Sequence, residues 1–153
     1  MLTRRQADDV WRSMFVSQVR AHYFARLANR YYRWKKMVTI ATLVLSSIAG
    51  VLVSAGVLNQ PLLVVLNMAV AVAAVVSIAL GLDEQASKTS QLHYSWSELA
   101  SGYEHLWQDW KEPKAQIVLD SLKQMDRQLS NQSSQTAFRK AIMKECHEYV
   151  WSD

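Results

Sequence analysis

Metal, acid–base or nucleophilic chemistry would turn first to His22, His93, His105, His147, Cys146, Glu98 and Glu104. None of them stands in a productive pattern. No two histidines have the H-x-x-x-H spacing that puts both rings on one helix face. Cys146 and His147 are neighbours whose side chains diverge on a helix, a poor start for a zinc site. A Gly-rich phosphate loop and a serine elbow are both missing from the sequence. Glu98 and Glu104 read as solvent-facing charges rather than an acid–base pair, and His93 and His105 as surface histidines. Neither an enzyme nor a metal or other cofactor is expected, and no catalytic residue is assigned.

The remaining candidates are cations. Arg20, Arg26, Arg30, Arg33, Lys35 and Lys36 gather before residue 37. They suit an anionic ligand such as a nucleotide. They suit anionic lipid better, where each basic residue near a surface gains about 1 kcal/mol. Tyr31, Tyr32 and Trp34 are interleaved with them, as in a headgroup-level belt beside a membrane helix. No nucleic-acid partner is expected.

The element that gives these residues their place is the stretch 37–82, which contains no Asp, Glu, Lys, Arg or His. It reads as two apolar segments, 37–58 and 61–82. About 20 apolar residues at 1.5 Å each cross a ~30 Å hydrocarbon layer, so each segment is long enough. Pro61 suits a first helical position and not a helix interior, so Asn59-Gln60 is expected at the tip of a membrane hairpin. Buried helices of a soluble bundle usually keep a polar stripe, and this stretch has no charge with which to make one. Thr42, Ser46, Gly50 and Ser54 share one side of the first segment, with Thr39. Asn67, Ala71, Ala74 and Ser77 share one side of the second, with Gly81. Such small-residue faces pack helices closely or line a narrow polar path. Asn67 should face another helix or water, because an unpaired amide is costly in hydrocarbon.

Charge sets the expected orientation. Nine Lys/Arg and two Asp/Glu precede residue 37, a balance of +7; eight and eleven follow residue 82, a balance of −3. Basic residues beside a first span stay cytoplasmic, so both termini should lie in the cytoplasm. A single cysteine excludes an internal disulfide and fits a reducing compartment. No signal peptide is expected.

The flanks should be helical. From 8 to 36 there is no Pro or Gly, and Trp11, Phe15, Val19, Tyr23, Leu27 and Tyr31 recur every fourth residue. That helix should run on into the first span as one rod of ~75 Å. The second span should likewise continue over 83–111. There Leu92, Leu99 and Leu106 alternate with Trp96, Tyr103 and Trp110 in unbroken 4-3 spacing, a coiled-coil seam. Its expected partner is the aromatic face of the N-terminal helix or of a neighbouring copy. Pro113 should end the rod. Two short amphipathic helices should follow at 114–130 and 135–151. Asn131–Ser134 should form a polar break with Ser134 as N-cap, and Phe138, Ile142 and Tyr149 should be buried. The expected fold is therefore all-α and a single domain over 1–153: a two-transmembrane helical hairpin extended into a cytosolic helical bundle, plus two short C-terminal amphipathic helices.

Segments 22–28 (HYFARLA), 31–36, 45–50 (LSSIAG) and 94–110 carry a likeness, and with the general layout it covers nearly the whole chain. The sequence resembles the SLATT family, two-transmembrane effectors associated with bacterial nucleotide-signalling defence systems. That resemblance implies a homo-oligomeric, pore-forming or membrane-disrupting effector of anti-phage defence in the bacterial inner membrane, acting by abortive infection. A sensor protein or a nucleotide signal would be its trigger, because these residues show no nucleotide-binding fold. The alternatives are a membrane-anchored scaffold that binds a partner, and a phage holin-like protein, which would have little use for so much ordered chain outside the bilayer.

Overall fold

The structure is a computed structural model that describes residues 2–54, 60–79, 81–136 and 139–152. They form five helices: α1 (Arg4–Ser54), α2 (Gln60–Ala79), α3 (Leu82–Gln108), α4 (Ala115–Ser134) and α5 (Lys140–Ser152). No strand occurs among the described residues, and the fold is all-α. The chain divides into two compact units, residues 28–87 and residues 1–27 with 88–153.

Helix α1 is continuous across the join expected at residue 37, as the absence of Pro and of any Gly before Gly50 allows. It starts four residues before the expected Asp8. Thr3 and Gln6 cap it reciprocally: the Gln6 amide donates to Thr3 Oγ1 at 3.3 Å, and the Thr3 amide donates to Gln6 Oε1 at 2.8 Å. This capping box satisfies two donors that a helix start leaves open.

Three other boundaries correct the sequence reading. The expected continuation of the second apolar segment over 83–111 is a separate helix, α3, which starts at Leu82 after α2 ends at Ala79. Gly81, at φ +54°, stands before α3 in the left-handed region that glycine enters without a Cβ penalty. Asp83 and Glu84 then occupy the first turn of α3, where the helix dipole favours them. The expected polar break at 131–134 is helical, and α4 ends only at Ser134. Oγ of Ser133 donates to the Leu129 carbonyl at 2.6 Å and Oγ of Ser134 to the Asn131 carbonyl at 2.7 Å. These hydroxyls bond back into their own helix instead of capping the next one. Helix α5 accordingly begins at Lys140, five residues later than expected. Its fully buried residue is Cys146, while Tyr149 is exposed and Ile142 half-buried. Phe138 and the Asn59 tip lie outside the described residues.

The unit of residues 1–27 and 88–153 is a four-helix arrangement in which α1 touches each of the other three. Helix α3 runs antiparallel to α1. Leu2 N–H bonds the Trp110 carbonyl at 3.1 Å near one end, and His93 bonds the Ala21 carbonyl at 3.0 Å near the other. Helix α4 runs parallel to α1, tied by Gln6 to Gln116 at 3.0 Å and by Arg20 to Ser130 at 2.8 Å. Helix α5 returns antiparallel, through Arg26 to Glu145 at 2.7 Å and Phe15 against Trp151 at 5.2 Å between ring centres. The core comprises Val10, Val19, Tyr23, Phe24 and Leu27 of α1 with Trp96, Leu99, Tyr103, Leu119 and Cys146.

The unit of residues 28–87 holds the rest of α1, all of α2 and the first turn of α3. Lys35 and Asp83 flank the uncharged stretch and form an ion pair, so the chain returns to the level at which it left. Among the described residues one helix, α1, is long and apolar enough to cross a membrane. None of its apolar window is buried within the chain. Met37, Ile40, Leu43, Val44, Val64, Val65, Met68 and Val72 are all exposed.

Candidate functional site

The polar residues of the apolar stretch were expected on packed or pore-lining faces. Oγ1 of Thr42 donates to the Val38 carbonyl at 2.8 Å, and Ser47 makes the same bond to Leu43. Both hydroxyls are thereby satisfied inside their own helix. Ser46, Gly50, Asn67, Ala71 and Ala74 are exposed in the single chain, and a Cβ placed on Gly50 would have no atom within 4 Å. Among the described residues, these small positions are therefore open in the single chain. The side chains of Ser54 and Ser77 lie outside what the structure describes.

Leu92, Trp96, Leu99, Tyr103 and Leu106 of the heptad seam are buried, and Trp110 is half-buried. The expected aromatic face of α1 is buried in its second half, at Val19, Tyr23 and Leu27, and not in its first. Trp11 is 44 % exposed and Phe15 half-buried, stacked on each other at 6.2 Å on the α5 side. Two rings of α3 reach small residues of α1. Tyr103 hydrogen-bonds Ser13, and His93 reaches the backbone at Ala21, where its Nδ1 must carry the proton because a carbonyl only accepts. Ser17 between them is buried, with its hydroxyl bonded to the Ser13 carbonyl at 2.8 Å. Ala7, Val10, Ser17, Ala21 and Phe24 are buried as well, in 3-4 spacing through the half-buried Met14.

Two of the expected lipid-facing arginines serve the helical unit. Arg20 bonds Ser130, lies 3.6 Å from Asp126 and covers the Trp96 ring at 4.5 Å. Arg26 pairs with Glu145. Arg30, Arg33 and Lys36 are exposed and belong to the other unit, with Lys35. The Asp83 carboxylate beside Lys35 raises its ammonium pKa, first by hydrogen bonding and then by charge.

The chemistry open to these residues is limited. Among the described residues no group of three or more His, Cys, Asp or Glu is placed to hold a metal. Cys146 is buried and its thiol pKa is raised, chiefly by that burial, which disfavours the reactive thiolate. Burial also pushes the Tyr103 phenol up to about 12, with the Asp126 charge adding to the rise and the Ser13 bond opposing it. No buried side-chain nitrogen or oxygen among the described residues lacks a partner.

No family model, curated protein or solved structure matches this chain. Function must therefore be read from the physical chemistry of the two units. One feature that the sequence reading passed over is a cavity of about 490 Å³ between α1 and α5. Trp11, Val16, Val19, Met143 and Trp151 line it with Arg12. The i, i+4 pair His147 and Trp151, stacked at 6.3 Å, was the sequence signal for it.

Proposed function

We infer that this protein is a homo-oligomeric membrane effector that breaches the bacterial inner membrane in anti-phage defence. The observation that carries this reading is the charge-free stretch 37–82, whose ends are brought together by the Lys35–Asp83 pair. Such a stretch fits two spans with both termini cytoplasmic, and the basic residues 30–36 fit the cytoplasmic side. A pair of spans cannot enclose a pore, so several copies are required. The exposed faces of Ser46, Gly50, Asn67, Ala71 and Ala74 are suited to meeting other copies or water. The trigger is a sensor protein or a nucleotide signal, as the SLATT resemblance implies. Helix α1 belongs to both units, so a rotation imposed on the helical unit reaches the spans along α1.

A membrane-anchored scaffold is the second reading, favoured by the well-formed core of the unit of residues 1–27 and 88–153. Ion conductance of the purified protein in a planar bilayer separates the two. Discrete conductance steps and inner-membrane depolarisation on induced expression are expected for the effector. An electrically silent, stably inserted protein would leave the scaffold. Reporter fusions at both termini should read cytoplasmic, and neutralising Arg30, Arg33, Lys35 and Lys36 together should impair insertion.

A further inference from the structure

Among the described residues of the unit of residues 1–27 and 88–153, two aliphatic and indole surfaces stand uncovered. One is the groove between α1 and α5, where Trp151 is 67 % and Trp11 44 % exposed. The other is the outer ridge of α4, where Ile117 is 74 % exposed beside the half-open Val118. Ile117 points away from the buried Ala115 and Leu119 because two residues turn a helix by about 200°. The two surfaces lie on different sides of the unit. Trp11 is about 140° around α1 from Gln6, the residue that bonds Gln116 of α4.

Their charges match in reverse. Trp11 is preceded by Asp8 and followed by Arg12, and all three line the concavity that continues the groove toward Trp107. Ile117 is preceded by Lys114 and followed by Asp120, both exposed. None of these four charged residues makes an ion pair among the described residues. The order acid–indole–base on one surface thus faces base–aliphatic–acid on the other. A ridge of one helix laid parallel to α1 would bring Arg12 to Asp120 and Asp8 to Lys114, with Ile117 against Trp11 and Trp151. Large apolar patches rimmed by charge mark association sites. Two unlike, complementary patches on one chain make a head-to-tail contact that closes into a ring when the rotation per copy permits.

We propose that the α1–α5 groove of one copy receives the Ile117 ridge of α4 from a second copy. This heterologous contact, which rests on the self-assembly proposed above, is the repeating interface of the oligomer. Arg12, Ile117 and Asp120 are exposed, and Trp151, which touches Phe15 by one edge, is 67 % exposed, so substitutions at these four positions leave the protomer folded.

Full-length protein in detergent tests it by mixing two single-cysteine additions, Trp151→Cys and Ile117→Cys, with a short bis-maleimide. Cys146 is buried in both and serves as the unreactive background. A cross-linked dimer is expected from the mixture and from neither variant alone. Arg12→Asp and Asp120→Arg should each lower the yield of assembled species at least tenfold, and the double variant should recover most of it. Cross-linking of Trp151→Cys with itself would show a symmetric contact and overturn the proposal. So would an assembly of unchanged size that gives no cross-link, which leaves the pore reading standing. A protein that stays monomeric at all concentrations would overturn both.

Discussion

Trp96 donates its indole N–H to Oγ of Ser133 at 3.0 Å, joining α3 to the end of α4. The bond explains two features together. It gives a fully buried indole the partner it needs, and it anchors the polar turn that the sequence reading broke off as a loop. Arg20 covers the same ring from α1, so a single side chain ties three helices.

Trp96→Ala should therefore cost roughly 3–5 kcal/mol, the range for removing a large buried aromatic. Trp96→Phe keeps much of the volume and loses one hydrogen bond of about 1 kcal/mol. Chemical denaturation of the full chain in detergent, followed by circular dichroism, should rank them wild type, Phe, Ala. An Ala variant as stable as the Phe variant would mean that the indole is not a core anchor.

Gly102 of α3 faces Leu122 of α4. A Cβ there would stand 2.7 Å from Cδ2 of Leu122. Gly→Ala in a helix gains about 1 kcal/mol from propensity, and overpacking costs about 1–3 kcal/mol. The Leu122 side chain can swing by part of that distance, so Gly102→Ala should be neutral to mildly destabilising and Gly102→Val clearly destabilising. In a Leu122→Ala background the clash is gone, and Gly102→Ala should then stabilise by about 1 kcal/mol. The reversal of sign in denaturation midpoints is the check.

Tyr103 gives a pH signature. Its phenol ionises at about 12 in the folded chain, against about 10 unfolded. Between those values the folded state holds the proton and the unfolded state releases it. The stabilisation is thus complete below pH 10 and is lost as pH rises to 12, by roughly 2–3 kcal/mol at ~1.4 kcal/mol per unit. Tyr103→Phe should flatten that decline and remove the last tyrosinate step from an ultraviolet titration. An unchanged titration would place the phenol in water.

Gly50 separates protomer from assembly. Because a side chain there meets nothing within 4 Å, Gly50→Leu should leave insertion and helix content unchanged. Conductance and toxicity should nevertheless fall sharply, since the small face is needed between copies. Full conductance at normal membrane levels would show that this face meets lipid only.

The amino-acid sequence by itself determined the features that local chemistry dictates. The missing helix breakers before Gly50 make α1 long, and the charge-free stretch stands out from its flanks. The 4-3 spacing of Leu92 to Leu106 selects the face of α3 that is buried. Three local signals were also present and were outweighed by louder ones. Thr3-x-x-Gln6 places the start of α1, Gly81 precedes the start of α3, and the 3-4 series from Ala7 to Phe24 marks further buried positions of α1. Only the tertiary structure decided which faces meet. Periodicity ranks positions by hydrophobicity, so it chose Trp11 and Phe15 along with Val19, Tyr23 and Leu27; the last three are buried, while Trp11 stays 44 % exposed and Ser13 and Ala21 meet Tyr103 and His93. Likewise Arg20 looked like a lipid contact until Asp126, Ser130 and Trp96, more than seventy residues away, were folded around it. Contacts between distant residues depend on how the helices cross, and that geometry is fixed by the fit of all their side chains at once.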